Sequence, residues 1–227
     1  MSEGFQFKQF YVRHDRCAMK VGTDGVLLGA LAWGCNGRIL DIGTGTGLCA
    51  LMMAQRYPDA DVTGIDIDAE ACQQARENTS VSKNITIVNT SLQDYMPEER
   101  YDAILSNPPF FEETLGCPDK NRDIARHASS LPYSLLLSRC KQLLAEDGAL
   151  TLIIPTQAVP RIEEESAYNG LFIVSRLHIK TTSTKAPKRT LLYLRHHPAP
   201  PTTSEHVLMD NGQRSQWYAE VTRDFYL

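Results

Sequence analysis

Asn107-Pro108-Pro109-Phe110 closes the run Tyr101-Asp-Ala-Ile-Leu-Ser, and its residue types suit a specific chemistry. The apolar residues Ala103 to Leu105 predict a buried parallel strand. Two prolines stop it, because proline cannot donate to a sheet ladder. Open α/β sheets bind ligands at the carboxyl ends of such strands, so Asn107 is expected to face a crevice from a stiff backbone. A planar amino nitrogen, such as the exocyclic nitrogen of adenine, is a poor nucleophile because its lone pair is delocalised into the ring. It also carries two N–H donors, which the Asn107 side-chain oxygen and the Pro108 carbonyl can accept. That pairing draws the nitrogen towards tetrahedral geometry and aims its lone pair at an incoming methyl group, while the Phe110 ring can stack on the base face. The plainer reading is a Pro-Pro turn whose Asn satisfies a loop amide.

A second constellation is Asp41-Ile-Gly43-Thr-Gly45-Thr-Gly47-Leu48, directly after Arg38-Ile-Leu. Glycines there permit a tight turn and close backbone approach to a ligand at a helix N-terminus. A dinucleotide fingerprint, G-x-G-x-x-G, needs a glycine where Leu48 stands, which disfavours a nicotinamide oxidoreductase. Asp66 ends the expected strand Asp61-Val-Thr-Gly-Ile-Asp66, 23 residues after Gly43, where it can accept both hydroxyls of a ribose. Asp94, in a loop between the third and fourth strands, can accept from an adenine amino group. A ligand-free connection and an ordinary surface aspartate are the plain alternatives for these two features.

Periodicity predicts the elements that position these residues. Strands are expected at 38–43, 61–66, 85–90, 103–105, 149–155, 171–180 and 190–195. Helices are expected from Leu48 to about Arg56, from Ala69 to about Val81 with Asp68 as cap, from Pro132 to about Ala145, and over 158–169. Asp147-Gly148 reads as a turn, and the last two strands as a hairpin closing the sheet. The result is an α/β chain: a doubly wound, Rossmann-like, seven-stranded, mostly parallel sheet with an N-terminal extension. Residues 1–35 form that extension, 36–197 the core, and 198–227 a proline-rich linker with a C-terminal segment packed on the core.

In the extension, aromatic strand-like residues 5–12 precede Arg13, His14, Arg16 and Lys20. Thr23 or Asp24 can cap a helix reaching about Trp33. The extension then either covers a sheet edge or forms a lid over a ligand with Thr23 and Asp24 beside it. Residues 112–130, with Lys120, Arg122, Arg126 and His127, read as a loop over the crevice mouth.

Hydrophobic residues make up 42% and charged residues 22%, ordinary for a globular chain with a sizeable core. A net charge of −4 restricts any nucleic-acid contact to a local patch. One patch is visible: no Asp or Glu occurs from Ser166 to Ser204, although Lys185, Lys188 and Arg189 fall inside. That hairpin tip is either solvated or a phosphate-contacting surface, together with Lys8, Arg13, Arg16 and Lys20. Six cysteines without a C-x-x-C pair argue against zinc and suggest free thiols in a reducing compartment. Neither a leader segment nor a run of ~18 apolar residues is found, so a cytoplasmic location with no membrane contact is expected. Nothing points to an obligate protein partner or a metal.

The D-x-G-x-G-x-G and N-P-P-F motifs resemble those of class I AdoMet-dependent methyltransferases, over about residues 36–195. Further motifs resemble the bacterial enzymes that methylate N6 of the adenine 3′ to the anticodon in valine tRNA. They are Lys20-Val-Gly-Thr-Asp-Gly-Val-Leu-Leu-Gly, Asn121-Arg-Asp-Ile-Ala-Arg-His127 and Val221-Thr-Arg-Asp-Phe-Tyr-Leu227. The resemblance implies S-adenosyl-L-methionine as methyl donor, S-adenosyl-L-homocysteine as product and the tRNA anticodon loop as partner. It implies that Asp41, Gly43 and Gly45 line the methionine part, with Gly47, Thr23 and Asp24 also at the cofactor. Asp66 would hold the ribose and Asp94 the adenine amino group. Asn107 and Pro108 would hold the target nitrogen and Phe110 would stack the base. Arg126 and His127 would join the basic residues in contacting RNA. Asn-Pro-Pro also serves enzymes acting on DNA adenine, on guanine N2 of ribosomal RNA and on a protein glutamine amide. A non-catalytic nucleotide-binding scaffold is the alternative from another class, disfavoured by the intact Asn107-Pro-Pro-Phe.

Overall fold

Strands buried on both faces are rich in apolar residues, and five largely buried strands build the centre of the sheet. They are β3 (Arg38–Ile42), β4 (Asp61–Asp66), β6 (Tyr101–Ser106), β7 (Leu144–Pro155) and β9 (Arg189–Arg195). The structure, a computed structural model, describes residues 4–17, 20–109 and 131–227. Before the sheet, β1 (Gly4–Gln6) and β2 (Tyr11–Arg13) form a small antiparallel hairpin within and around the strand-like residues 5–12.

With β5 (Ile85–Asn89), β8 (Phe172–Lys180) and β10 (Thr202–Val207), the main sheet has eight strands in the order β10-β8-β9-β7-β6-β3-β4-β5. The pairs β7–β9 and β8–β9 are antiparallel and the rest are parallel. The β8–β9 hairpin is as expected, but it does not end the sheet. Thr202–Val207 adds an eighth strand parallel to β8, from the end of the expected linker and the start of the C-terminal segment. A two-residue pair, β11 (Met209–Asp210) with β12 (Gln213–Arg214), follows. Asp147-Gly148 lies inside β7, in a bulge between the pairs Tyr101–Leu144 and Ala103–Ala149, and not in a turn outside the sheet.

Alternation along the strands separates two cores. Helices α1 (Thr23–Leu31) and α2 (Leu48–Arg56) pack on Ile39, Ala103, Leu105 and Ile153. Helix α3 (Ala69–Thr79) covers Ile87. On the other face, α4 (Tyr133–Leu143) and α5 (Val159–Tyr168) pack on Leu40, Ile104, Leu150 and Leu152. Helix α6 (Gln216–Thr222) brings Tyr218 to the first core. The β1–β2 hairpin closes over α2, with Phe7 and Val12 fully buried beside Leu51, Met52 and Phe225. The five cysteines among the described residues are free thiols. No helix among the described residues is long and apolar enough to cross a membrane.

Candidate active site

Strand order reverses beside β3: β4 and β5 lie on one side of it and β6 on the other. Such a switch point splays the connections apart and leaves a crevice at the carboxyl ends. Both chemical motifs stand on its rims. The glycine loop follows β3 and Asn107 follows β6, and the two strands are paired at Ile42 and Ser106. The buried Ser106 hydroxyl donates to the Ile42 carbonyl at 2.9 Å, fastening the rims together.

Gly43, Gly45 and Gly47 all adopt positive φ, at 71°, 52° and 79°. A Cβ at Gly43 or Gly45 would meet nothing within 4 Å, so the loop presents bare backbone to open space. Gly47 is the N-cap of α2 and turns the chain into the helix. The Gly45 N–H donates to Asp66 Oδ2 at 2.9 Å, and the Asp68 N–H to Asp66 Oδ1 at 3.0 Å. Two of about four carboxylate lone-pair sites are used, and the others remain for a diol. The Asn89 amide, opposite Asp66 in the β4–β5 ladder, donates to the Asp66 and Ile67 carbonyls at 2.9 and 3.1 Å and braces the turn. Asp68 caps α3 as expected, accepting from the N–H groups of Glu70 and Ala71.

Asp41 is buried, and the Thr44 hydroxyl donates to it at 2.7 Å. Burial pushes its carboxyl up from 3.8 to about 7; the Thr44 hydrogen bond opposes this and the nearby Asp66 charge adds to it. Asp94 is exposed in the loop after β5, held by the Ser91 hydroxyl at 2.6 Å. Asn107 Oδ1 is a buried acceptor with no hydrogen-bond partner among the described residues. Buried polar atoms rarely go unpaired, and such an atom in a crevice marks where a donor belongs. Phe110, Arg126 and His127 lie outside the described residues.

The residues expected from the sequence fall into three groups. Asp41, Gly43, Gly45, Gly47, Asp66 and Asn107 come together at the crevice, with Pro108 buried next to Asn107. Thr23 is exposed and caps nothing, because Gly22 is the N-cap of α1. Asp24 instead accepts from Arg189 Nε at 2.7 Å, joining the first turn of α1 to the start of β9. Lys185 and Lys188 are exposed at the β8–β9 turn, on the same edge of the sheet as the crevice, since Arg189 pairs with Pro155 at the carboxyl end of β7.

The N-terminal cations do not all share that surface. Lys8 reaches the Arg223 carbonyl, and its N–H donates to the Phe225 carbonyl at 2.8 Å. A cavity containing Lys8 and Asp224 also contains Arg56 and Tyr57, so Lys8 stands at the end of α2 remote from the glycine loop. Arg16 is ion-paired to Glu77 at 2.8 Å. Arg13 is clasped through its backbone by Asn78, whose amide also donates to the Thr46 carbonyl at 2.8 Å. The extension is thereby tied to the glycine loop, and Lys20 is exposed nearby in sequence. Sequence reasoning missed Asn78, Asn89 and Ser91. For Ser91 a signal existed, the Ser-x-x-Asp spacing to Asp94. The two asparagines act across elements and leave no local pattern.

A model of the methyltransferase small domain family matches residues 18–161. The chain is 44% identical over 231 residues to the tRNA1(Val) (adenine(37)-N6)-methyltransferase of Bacteroides thetaiotaomicron, covering 98% of this chain and 97% of the relative. It is 41% identical to the protein of that name from Mannheimia succiniciproducens, covering 100% and 95%. Among solved structures, one described as a predicted O-methyltransferase from Agrobacterium tumefaciens superposes with a TM-score of 0.69 at 18% identity, over 89% of this chain and 96% of the other. The ribosomal protein L11 methylase of Lactobacillus delbrueckii superposes with a TM-score of 0.53 at 23% identity, over 76% and 77%. These two likenesses establish the fold.

Proposed function

We infer the function from one premise: this chain belongs to the methyltransferase small domain family. It transfers a methyl group from AdoMet to the exocyclic N6 of an adenine in tRNA, the adenine 3′ of the anticodon at position 37 of tRNA1(Val). The observation that carries the chemistry is the buried, unpaired Asn107 Oδ1 beside a glycine loop at the switch point. The tRNA as substrate is supported by relatives of that name at 40–44% identity across nearly the whole chain.

The residues present fit AdoMet. Bare backbone at Gly43 and Gly45 leaves room for the methionine part, and the spare acceptor sites of Asp66 suit a ribose diol. Asp94 is exposed on the same edge and can accept from the adenine amino group. AdoMet supplies an electrophilic methyl on a sulfonium, already a good leaving group. Asn107 Oδ1 and the Pro108 carbonyl accept the two N6 hydrogens and aim the nitrogen lone pair. Phe110 stacks on the target base. No general base is required of the chain, because the methylated nitrogen loses its proton to water. The target sits in a single-stranded loop, so extruding it costs at most about a few kcal/mol. The reaction takes place in the cytoplasm, where the tRNA is.

Incubation with labelled AdoMet and separated tRNA, ribosomal RNA, DNA and protein fractions tests the assignment. Label is expected in tRNA. Label confined to ribosomal RNA or to protein would replace this substrate, and absence of AdoMet binding by calorimetry would end the methyltransferase reading.

A further inference from the structure

A cleft of about 610 Å³ opens between the β8–β9 turn and the residues after β7. Tyr133, Thr156, Gln157, Lys185, Lys188 and Arg189 line it. It shares the carboxyl edge of the sheet with Asn107 and lies on the neighbouring strand, since β6 and β7 are paired through Ser106 and Leu152. A cavity of about 440 Å³ containing Trp33, Asp147, Ala149 and Tyr193 sits at the opposite end of β7, away from the crevice.

The cleft has a fixed floor. The Thr156 N–H donates to the Lys188 carbonyl at 3.3 Å. The Thr156 and Thr190 hydroxyls are 3.1 Å apart, and His178 Nδ1 is 2.9 Å from the Thr190 hydroxyl. Its charge is unbalanced. Arg189 is held by Asp24, but Lys185 and Lys188 have no ion-pair partner among the described residues. Its volume falls in the range of small-molecule sites, roughly 300–1,000 Å³, larger than a bare phosphate needs. Beside the cations stand a half-buried aromatic ring, Tyr133, and an exposed amide, Gln157. An amide offers both a donor and an acceptor to a base edge.

We propose that this cleft binds the nucleotide adjoining the target adenosine in the RNA strand. This rests on the tRNA-methylating function above and adds a second, separable site to it. The phosphate of that nucleotide lies between Lys185 and Lys188, its base stacks on Tyr133, and Gln157 reads the base edge. Holding the neighbour fixes the strand while the target base swings into the crevice at Asn107. It also lets the enzyme select an adenine by what stands next to it.

The test uses RNA hairpins with the target adenine in the loop and an abasic nucleotide on its 5′ or its 3′ side. The kcat/KM values of wild type, Tyr133→Leu, Gln157→Ala and the double variant Lys185→Ala, Lys188→Ala are compared. One of the two abasic substitutions is expected to lower wild-type kcat/KM by about tenfold, the scale of one lost base–aromatic stack. Tyr133→Leu should lose a similar factor on intact RNA and nothing more on that abasic RNA. Gln157→Ala should become indifferent to the identity of the neighbouring base. The lysine variant should reduce the slope of log affinity against log salt by up to about two. AdoMet affinity should not change in any variant; where Tyr133→Leu fails to fold, exposed Gln157 carries the test. A wild type indifferent to both abasic substitutions, or losses that multiply at both positions, would overturn the cleft and leave the function standing. Failure of wild type to methylate even the intact RNA would instead overturn the function.

Discussion

An acceptor buried without a partner costs about 1–3 kcal/mol, and Asn107 Oδ1 is such an acceptor among the described residues. In the proposed reaction an N–H pair on the substrate would remove that cost, most fully when the nitrogen has turned towards the methyl donor. Asn107→Ala should therefore lower kcat by about two orders of magnitude or more and leave AdoMet affinity nearly intact, as single-turnover rates and calorimetry would reveal. Near-normal turnover would falsify this role. Asp41 makes a different demand, on pH. Its carboxyl is raised to about 7 in the folded chain, so between pH ~4 and ~7 the unfolded chain ionises while the folded one stays protonated. The stability contribution is complete below pH ~4 and lost as pH rises through ~7, on the order of a few kcal/mol. Urea unfolding of the ligand-free protein should show this fall, and Asp41→Asn should flatten it. A cationic ligand beside Asp41 favours the carboxylate, so AdoMet affinity should rise through the same window in wild type alone.

At the scale of elements, the glycine loop is a joint between β3 and α2 that no side chain can replace cheaply. A Cβ at Gly47 would combine φ of 79° with a 3.1 Å approach to Thr79 Cγ2 on α3. Gly47→Ala should cost roughly 1–3 kcal/mol in urea unfolding, from backbone strain and displacement of α3. An unchanged midpoint would mean that the loop relaxes freely. This loop, the Asp68 cap and the strand before Asn107 were legible in the sequence because each is fixed by neighbours within a few residues. Asp24 was misread as a helix cap, because Gly22 holds the N-cap and the Asp24 partner, Arg189, is 165 positions away. The eighth strand was hidden for a similar reason. Thr202–Val207 follows Pro198, Pro200 and Pro201 and is polar, with no residue fully buried along it. It is an edge strand, defined by the ladder of β8 and not by its own alternation.

Across the whole molecule, an acidic chain can handle a polyanion only where its positive charges are set apart from its acids. The hairpin turn bearing Lys185 and Lys188 stands on the carboxyl edge near the crevice, whereas Lys8 and Arg16 are engaged within the fold. Replacing Lys185, Lys188 and Arg189 together should weaken RNA binding and reduce the salt slope by up to about three. Arg189 is ion-paired to Asp24, so most of that reduction is expected from the two lysines. An unchanged slope would move the RNA to another surface. The family motifs made the reaction readable from the sequence, whereas composition locates basic segments and not the edge of the sheet or the end of the helix on which they sit.

The most direct measurement is methylation of transcribed valine tRNA by the purified protein with labelled AdoMet, followed by nucleoside analysis. It is run beside the same tRNA with guanine in place of the adenine 3′ to the anticodon. The expected result is label recovered as N6-methyladenosine from the first tRNA and none from the second. Equal labelling of both, or label recovered in any other nucleoside, would contradict the assignment.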